Sequence, residues 1–473
     1  MTTFSLWING KAVSTANTFD VINPADKSVV AACPQASEQD LENAVAAAKE
    51  AFPAWAEKPW QERSDLMLKL ADAVEANMVE LSELLTKEQG KPQNGFADMG
   101  AGFETGGTLA WIRATAGLTL PVETIQEGDD LTIEVHRKPL GVVGSITPWN
   151  YPLLIGIWHI IPAMLAGNTV VMKPSSLTPL TTLRFAELAN EILPAGVLNV
   201  VSGDGGIGRM ITAHEDISKI VFTGSTPTGR HIMKSAAGNL KRLTLELGGN
   251  DAAIVLDDVD VASAVGKIFA TAFINNGQTC AALKRLYVQD GVYDAICEGL
   301  TEIANSVITG NGMNPDSDFG PLQNPDQLQL VMDLAADAKE RGARFLTGGE
   351  QTNTNGYYYP ITLVADIKDG ARLVDEEQFG PILPIIRFSD VEEAIVHANN
   401  SPNGLGGSVW SQDIERAREI ASRLECGSVW INHHAVIQPH APFGGIKQSG
   451  FGVEFSEAGL KEFTSIQTLH VYP

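Results

Sequence analysis

Cysteine is scarce. The 473-residue chain has 4: Cys33, Cys280, Cys297 and Cys426. None forms a C-x-x-C pair and no zinc-type spacing occurs, so no metal site is expected. A disulfide framework is excluded at this density, and a reducing cytoplasm is the simplest home. Positive charge is short as well. Lys and Arg number 33 against 57 Asp and Glu, a formal net charge of -24. So acidic a surface repels phosphate backbones and anionic lipid, and nucleic acid is not an expected partner. Uninterrupted apolar runs are also missing. The most apolar stretch, residues 151–172, is broken by Pro152, Gly156, His159, Pro162, Gly167 and Asn168. A spanning helix wants about 20 mostly apolar residues, so this stretch reads as a buried loop, helix and strand. Residues 1–10 lack a basic start followed by an apolar core, and no apolar tail follows Pro473; neither a leader nor a membrane anchor is expected.

What is present suits a globular chain. Apolar residues make up 44% and charged residues 19%, and the length asks for two or three domains. Helical apolar spacing covers residues 39–48 and 63–88. Residues 131–143 alternate and read as one strand. A strand–helix rhythm follows: strands at 169–172, 198–201 and 219–223, helices at 181–192 and from about Thr228, with a Gly-rich run at 203–208. The rhythm resumes with strands at 252–256 and 285–288 and helices at 261–273 and 293–308. Parallel βαβ units in two α/β domains are the expectation, with a break near Gly248 and Gly249 and a terminal strand at 465–471.

Five segments carry chemistry. Cys280 follows the polar turn Asn275-Asn276-Gly277-Gln278-Thr279, a placement that exposes a nucleophilic thiol. The alternative is a buried structural cysteine, the reading taken for Cys33, Cys297 and Cys426. Glu246 lies between Leu245 and Leu247, ahead of Gly248-Gly249. Buried, it would titrate high enough to act as a general base; the alternative is an exposed strand-end glutamate. Asn150 stands in the rigid loop Thr147-Pro148-Trp149-Asn150-Tyr151-Pro152, where its amide could donate to an oxyanion or cap the next helix. Lys173 ends a predicted parallel strand, pointing into a crevice of the kind that binds dinucleotides. Its companion is the strand-to-helix turn Gly224-Ser225-Thr226, where backbone N–H groups suit a pyrophosphate, although the spacing is neither a Walker loop nor the usual Rossmann fingerprint. Glu376-Glu377-Gln378-Phe379-Gly380-Pro381 by itself reads as an acidic surface turn.

Together these words, TPWNYP, KPS, FTGST, LELGGN, NGQTC, EEQFGP, GSVWIN and PFGGIKQSG, resemble the aldehyde dehydrogenase superfamily over almost the whole chain. The resemblance implies a Rossmann-type cofactor domain (1–117 and 138–247), an α/β catalytic domain (248–461) and a small β oligomerisation arm (118–137 and 462–473). It implies NAD(P)-dependent oxidation of an aldehyde to the acid, without CoA. Cys280 attacks the carbonyl, the Asn150 amide and the Cys280 backbone N–H hold the oxyanion, and Glu246 activates the water that cleaves the thioester. Thr147, Trp149, Lys173, Ser176, Gly224, Ser225, Glu377 and Phe379 fall at cofactor-binding positions. Leu154, Ile155, Trp158, Thr279, Ala281, Ile437 and Phe443 fall along the substrate channel. Homodimers or homotetramers are implied.

Two positions depart from common patterns. NAD-preferring members often carry a glutamate three residues after the lysine; here stands Ser176, so NADP is expected to be at least tolerated. Some members carry a lysine at the position of His159, paired with a glutamate matching Glu454; His159 is expected instead to pack or to line the channel. The channel is nearly all apolar and lacks an arginine for a carboxylate, so medium-to-long aliphatic or aromatic aldehydes are expected. The alternatives are a semialdehyde dehydrogenase, a CoA-acylating relative, a thiol hydrolase using His433, His434 or His440, and a non-catalytic protein on the same fold.

Overall fold

The computed structural model describes residues 3–473. Met1 and Thr2, the first residues of the segment read as lacking a leader, lie outside the described residues. Two sheets dominate. An 8-stranded sheet runs in the order Lys11–Val13, Leu6–Ile8, Leu198–Val200, Thr169–Lys173, Val142–Ile146, Ile217–Thr223, Arg242–Glu246, Gly450–Phe451. Its five central strands are parallel. They are covered on both faces: Val143, Val170 and Met172 enter one core, Val142, Val171 and Ile220 the other. Near-continuous apolar strands of this kind fit a parallel sheet wrapped by helices. The chain moves outward from Val142–Ile146 to Leu198–Val200, then returns to lay Ile217–Thr223 on the other side of Val142–Ile146. That reversal opens a crevice at the carboxyl ends of these two strands.

The 7-stranded sheet runs Arg344–Thr347, Thr362–Ala365, Ile382–Phe388, Leu283–Gln289, Asp251–Val255, Gly406–Trp410, Ser428–Ile431. Its faces likewise split between two cores, Ile254 and Ile386 in one, Val255 and Ile385 in the other. A 3-stranded sheet joins Thr464–Val471, Thr132–Pro139 and Glu123–Gln126. The helix Pro152–Leu165 and the strand Thr169–Lys173 occupy the most apolar stretch, and among the described residues no helix is long and apolar enough to cross a membrane.

The structure changes three expected elements. Residues 131–143 form two strands in different sheets, because Gly141 takes φ 127° and Asn168 Oδ1 accepts the N–H of Leu140 (2.6 Å) and of Gly141 (3.1 Å). The helix expected over 63–88 breaks at Asn77 into Trp60–Ala76 and Met78–Gln89. The Gly-rich run is partly helical: Gly205–Ala213 starts behind Asp204, whose side chain accepts from Gly206 N–H.

Candidate active site

The helix Val261–Phe273 ends on three consecutive left-handed residues, Asn275 (φ 51°), Asn276 (φ 58°) and Gly277 (φ 74°). Asparagine tolerates this region, and at Gly277 a Cβ would collide with the carbonyl of Gly380. Side-chain amides pin the turn: Asn275 Nδ2 donates to Asn150 O (3.0 Å) and Asn276 Nδ2 to Gly320 O (3.0 Å). The turn leaves Cys280 half-buried, while Cys33 and Cys297 are buried. Burial pushes the Cys280 thiol up to about 12, and the Lys284 ammonium pulls the other way.

Asn150 does not cap the helix after it. The cap position is Tyr151, with no side-chain bond, and Asn150 Nδ2 donates to Gln278 O at 3.0 Å, two residues before Cys280. The amide's second hydrogen has no bond among the described residues. The helix is served instead by Glu104, whose Oε1 accepts Leu153 N–H (3.0 Å) and Leu154 N–H (3.2 Å). Glu104 pairs with Lys91, fully out of solvent, and Lys91 Nζ donates to Asn150 O at 2.8 Å while lying 3.8 Å from the centre of the Tyr151 ring. Lys91 and Glu104 thus fix the Asn150 backbone. Sequence reasoning missed them, since each reads locally as an ordinary charged residue.

Glu246 ends the strand Arg242–Glu246 and is buried, so the exposed strand-end alternative fails. Both carboxylate oxygens lack a hydrogen-bond partner among the described residues. Burial, reinforced by the nearby Glu454, raises its titration well above the usual carboxylate range, against a lesser pull from the Gly445 backbone N–H, which makes no hydrogen bond of normal geometry to it. Glu246 in turn opposes charge on the Cys280 thiol, which places the two groups in each other's field. Behind Glu454 lies His159. Its Nε2 is 3.4 Å from Glu454 Oε1 and 2.9 Å from Thr223 Oγ1, and its Nδ1 is 3.0 Å from Ser145 Oγ. His159 is therefore a buried, polar-bonded ring and not a channel lining.

The thiol-hydrolase arrangement is not formed. His434 bonds Ser408 Oγ (2.9 Å) and faces Asp251 (3.5 Å), and His433 Nδ1 meets the His434 main chain. Among the described residues no histidine is hydrogen-bonded to Cys280.

At the strand reversal lies a cleft of about 380 Å³, lined by Ile146, Lys173, Gly208, Arg209, Thr228 and His231 among others. Burial lowers the Lys173 ammonium to about 8, with Asp204 acting against the shift. The helix Thr226–Ala236 opens behind Ser225 with no side-chain cap, so its first N–H groups are available to an anion. Gly224 N–H is already bonded to Glu246 O (3.0 Å), and Ser176 is half-buried beyond Lys173. Arg209 and His231 were not foreseen; only the tertiary crevice brings them beside Lys173. Thr147 N–H bonds Lys173 O (3.2 Å), and its buried hydroxyl has no partner among the described residues.

The surface-turn reading of 376–381 is half right. Glu376 is exposed and pairs with Arg372 at 2.7 Å. Glu377 turns inward, where Gly249 N–H (3.1 Å) and Lys284 (3.3 Å) meet its Oε1. Phe379 takes φ 43° and sets its ring edge-on to Trp149, centroids 5.4 Å apart.

Apolar residues surround the thiol. Cys280, Trp158, Ala281, Ile437 and Phe443 share one cluster, joined by Trp111, Leu405, Trp430 and Phe455. Leu154 and Ile155 lie in the adjoining cluster with Tyr151. Thr279 is buried beneath, its hydroxyl 3.0 Å from the Tyr151 phenol. Trp111 and Phe455 were missed because no local pattern marks them.

The family model described as the aldehyde dehydrogenase family matches residues 10–469. A betaine aldehyde dehydrogenase of Bacillus subtilis is 37% identical over 479 positions, covering 99% of this chain and 97% of that one. The NAD+ complex structure of an aldehyde dehydrogenase from Bacillus cereus is 37% identical with a TM-score of 0.96, covering 100% and 97% of the two chains. A lactaldehyde dehydrogenase structure is 34% identical with a TM-score of 0.96, covering 99% of each.

Proposed function

This chain belongs to the aldehyde dehydrogenase family, NAD(P)-dependent oxidoreductases acting on aldehydes, and we propose that it oxidises an apolar aldehyde to its acid through a thioester on Cys280. The observation that supports this most is Glu246, a buried carboxylate with both oxygens unpartnered among the described residues, standing in the field of Cys280. Cys280 Sγ bonds the aldehyde carbon. The free Asn150 amide hydrogen and the Cys280 N–H hold the resulting oxyanion. NAD(P), when bound in the cleft, supplies the acceptor for the hydride that leaves the thiohemiacetal carbon. Glu246 then takes a proton from water as it attacks the thioester, releasing the acid and the thiol. That unpartnered base favours hydrolysis over transfer to CoA, so turnover is expected without CoA.

The residues on hand fit the cofactor. Lys173 and the open N-terminus of Thr226–Ala236 would hold adenosine ribose and pyrophosphate, and Glu377, beside Trp149 and Phe379, the nicotinamide ribose. Ser176 adds no negative charge at the adenosine end and Arg209 adds a positive one, which supports NADP as well as NAD. Ser176→Glu is expected to lower kcat/KM for NADP about a hundredfold while sparing NAD, because like charges juxtaposed cost several kcal/mol. A parallel assay with both cofactors checks this.

For the substrate, the apolar cluster around Cys280 supports aliphatic or aromatic aldehydes. One observation favours a second reading. Trp158 and Phe455 stand 4.8 Å apart, Trp111 and Phe455 5.5 Å, and clustered rings also attract a quaternary ammonium head. A panel of octanal, benzaldehyde, betaine aldehyde and succinate semialdehyde, followed by cofactor absorbance, separates them. The highest kcat/KM is expected for octanal or benzaldehyde; a preference for betaine aldehyde establishes the second reading, and one for succinate semialdehyde rejects both.

The 8-stranded sheet, apart from its edge strand Gly450–Phe451, would serve as the cofactor domain (1–117, 138–247) and the 7-stranded sheet as the catalytic domain (248–461). The 3-stranded sheet exposes Ile125 (68%) and Ile466 (60%), which supports a homo-oligomer built on that arm.

A further inference from the structure

Cys280 ionises in unfavourable surroundings. Burial opposes the thiolate most, and Glu246, Glu377 and Asp251 oppose it further. The phenol of Tyr151 is a further titratable neighbour. The cation facing it is Lys284.

Lys284 lies four residues along, in the strand Leu283–Gln289, yet its side chain turns back toward the thiol's own loop. Its Nζ donates to the Cys280 carbonyl oxygen and stands 3.3 Å from Glu377 Oε1, with the side chain only 2% exposed. Glu377 Oε1 also accepts Gly249 N–H at 3.1 Å, on the segment that carries Glu246. Gly248 makes room for the carboxylate, since a Cβ there would collide with Glu377 Oε2. From the other side, Gln378 Nε2 donates to Lys284 O at 2.8 Å. The segments bearing the nucleophile, the base and the nicotinamide-ribose ligand therefore converge on one buried ammonium.

We propose that Lys284 is a positioning residue that holds the Glu377 carboxylate at the cofactor cleft and supplies the positive field under which Cys280 ionises. This rests on the roles proposed above for Cys280 and Glu377. A lysine kept for packing alone would leave the thiol's titration and the cofactor KM unmoved on replacement by an isosteric apolar chain. Opposite charge at close range moves a titration by about 1–3 in pH, so the effect is large enough to read. Lys284 and Glu377 act on the thiol with opposite sign, which gives the proposal a second, independent handle.

The test is iodoacetamide alkylation of Cys280 in the full chain as a function of pH, followed by mass of the Cys280 peptide. In Lys284→Met the inflection is expected to rise by about 1 in pH, and the rate at pH 7.5 to fall about tenfold. Lys284→Arg keeps the charge and is expected to hold the rate within about threefold of the wild type. Glu377→Gln removes an opposing charge and is expected to move the inflection down. In steady state Lys284→Met raises KM for NAD more than it lowers kcat, and Lys284→Arg restores KM. An unchanged inflection in Lys284→Met, or shifts of the same sign in Lys284→Met and Glu377→Gln, overturns the proposal. If Lys284→Met does not fold, an upward or unchanged inflection in Glu377→Gln overturns it. Failure of the parent reading looks different: aldehyde oxidation would survive in Cys280→Ala, while the alkylation profile still reports on Lys284.

Discussion

Cys280→Ala is expected to lower kcat/KM for aldehyde oxidation by about 10⁴-fold or more, as loss of an attacking nucleophile does elsewhere. The reason is chemical. Without a covalent bond to the aldehyde carbon no thiohemiacetal forms to release hydride, and the split into two easier steps is lost. The other thiols offer no substitute: Cys33 and Cys297 are buried, and Cys426 is bonded to Ser428 O at 3.4 Å. Cofactor binding should be unaffected, because the cleft at Lys173 and Thr228 is built by other segments. Binding of NAD by fluorescence together with single-turnover absorbance separates the two. Oxidation at more than about 1% of the wild-type rate would overturn the nucleophile assignment, since a residual rate that high exceeds what binding and orientation supply after a nucleophile is removed.

Glu246→Gln should fail later in the cycle. Acylation of Cys280 stays possible, so one equivalent of reduced cofactor per site is expected as a burst. Deacylation loses its base, and kcat falls by about 10²–10⁴-fold. Hydroxylamine, which needs no base, should restore turnover. The pH profile carries a second signature. Burial and Glu454 raise the Glu246 titration well above the carboxylate range, so wild-type kcat is expected to climb as pH rises through that value, and the Gln variant to lose this limb. The same shift has a cost for the fold. A carboxyl whose folded value lies above its unfolded one binds more protons when native, so its contribution to stability is present at low pH and is lost as pH rises through the folded value. Melting curves should therefore show Glu246→Gln above the wild type at pH 8, with the gap closing toward pH 4. A steady rate equal to wild type with no burst would assign the base elsewhere.

Much was written in the chain itself. The scarcity of cysteine, the acidic balance and the broken apolar stretch set expectations against a disulfide framework, a nucleic-acid partner and a spanning helix. Strand–helix alternation set the α/β architecture, because apolar spacing and turn residues act within a few positions of one another. The helix at 261–273 was legible to the residue. The words around Asn150, Lys173, Gly224, Glu246, Cys280 and Glu377 were legible as a family, but each alone left two readings open.

The fold chose between those readings by burial and by charges distant in sequence. Glu246 lies inside because Gly450 and Phe451, some two hundred residues on, pair with its strand. Glu377 turns in while its neighbour Glu376 pairs outward, a choice made by Lys284 and by the bare backbone of Gly248 and Gly249. Asn150 is free to donate because Glu104 serves the helix in its place. His159 packs rather than lines a channel, and the sequence left both open because its partners, Ser145, Thr223 and Glu454, come from three separate segments. The thiol of Cys280 was visible from the start, but a titration is set by the whole surrounding field. No local pattern announces which ammonium faces it.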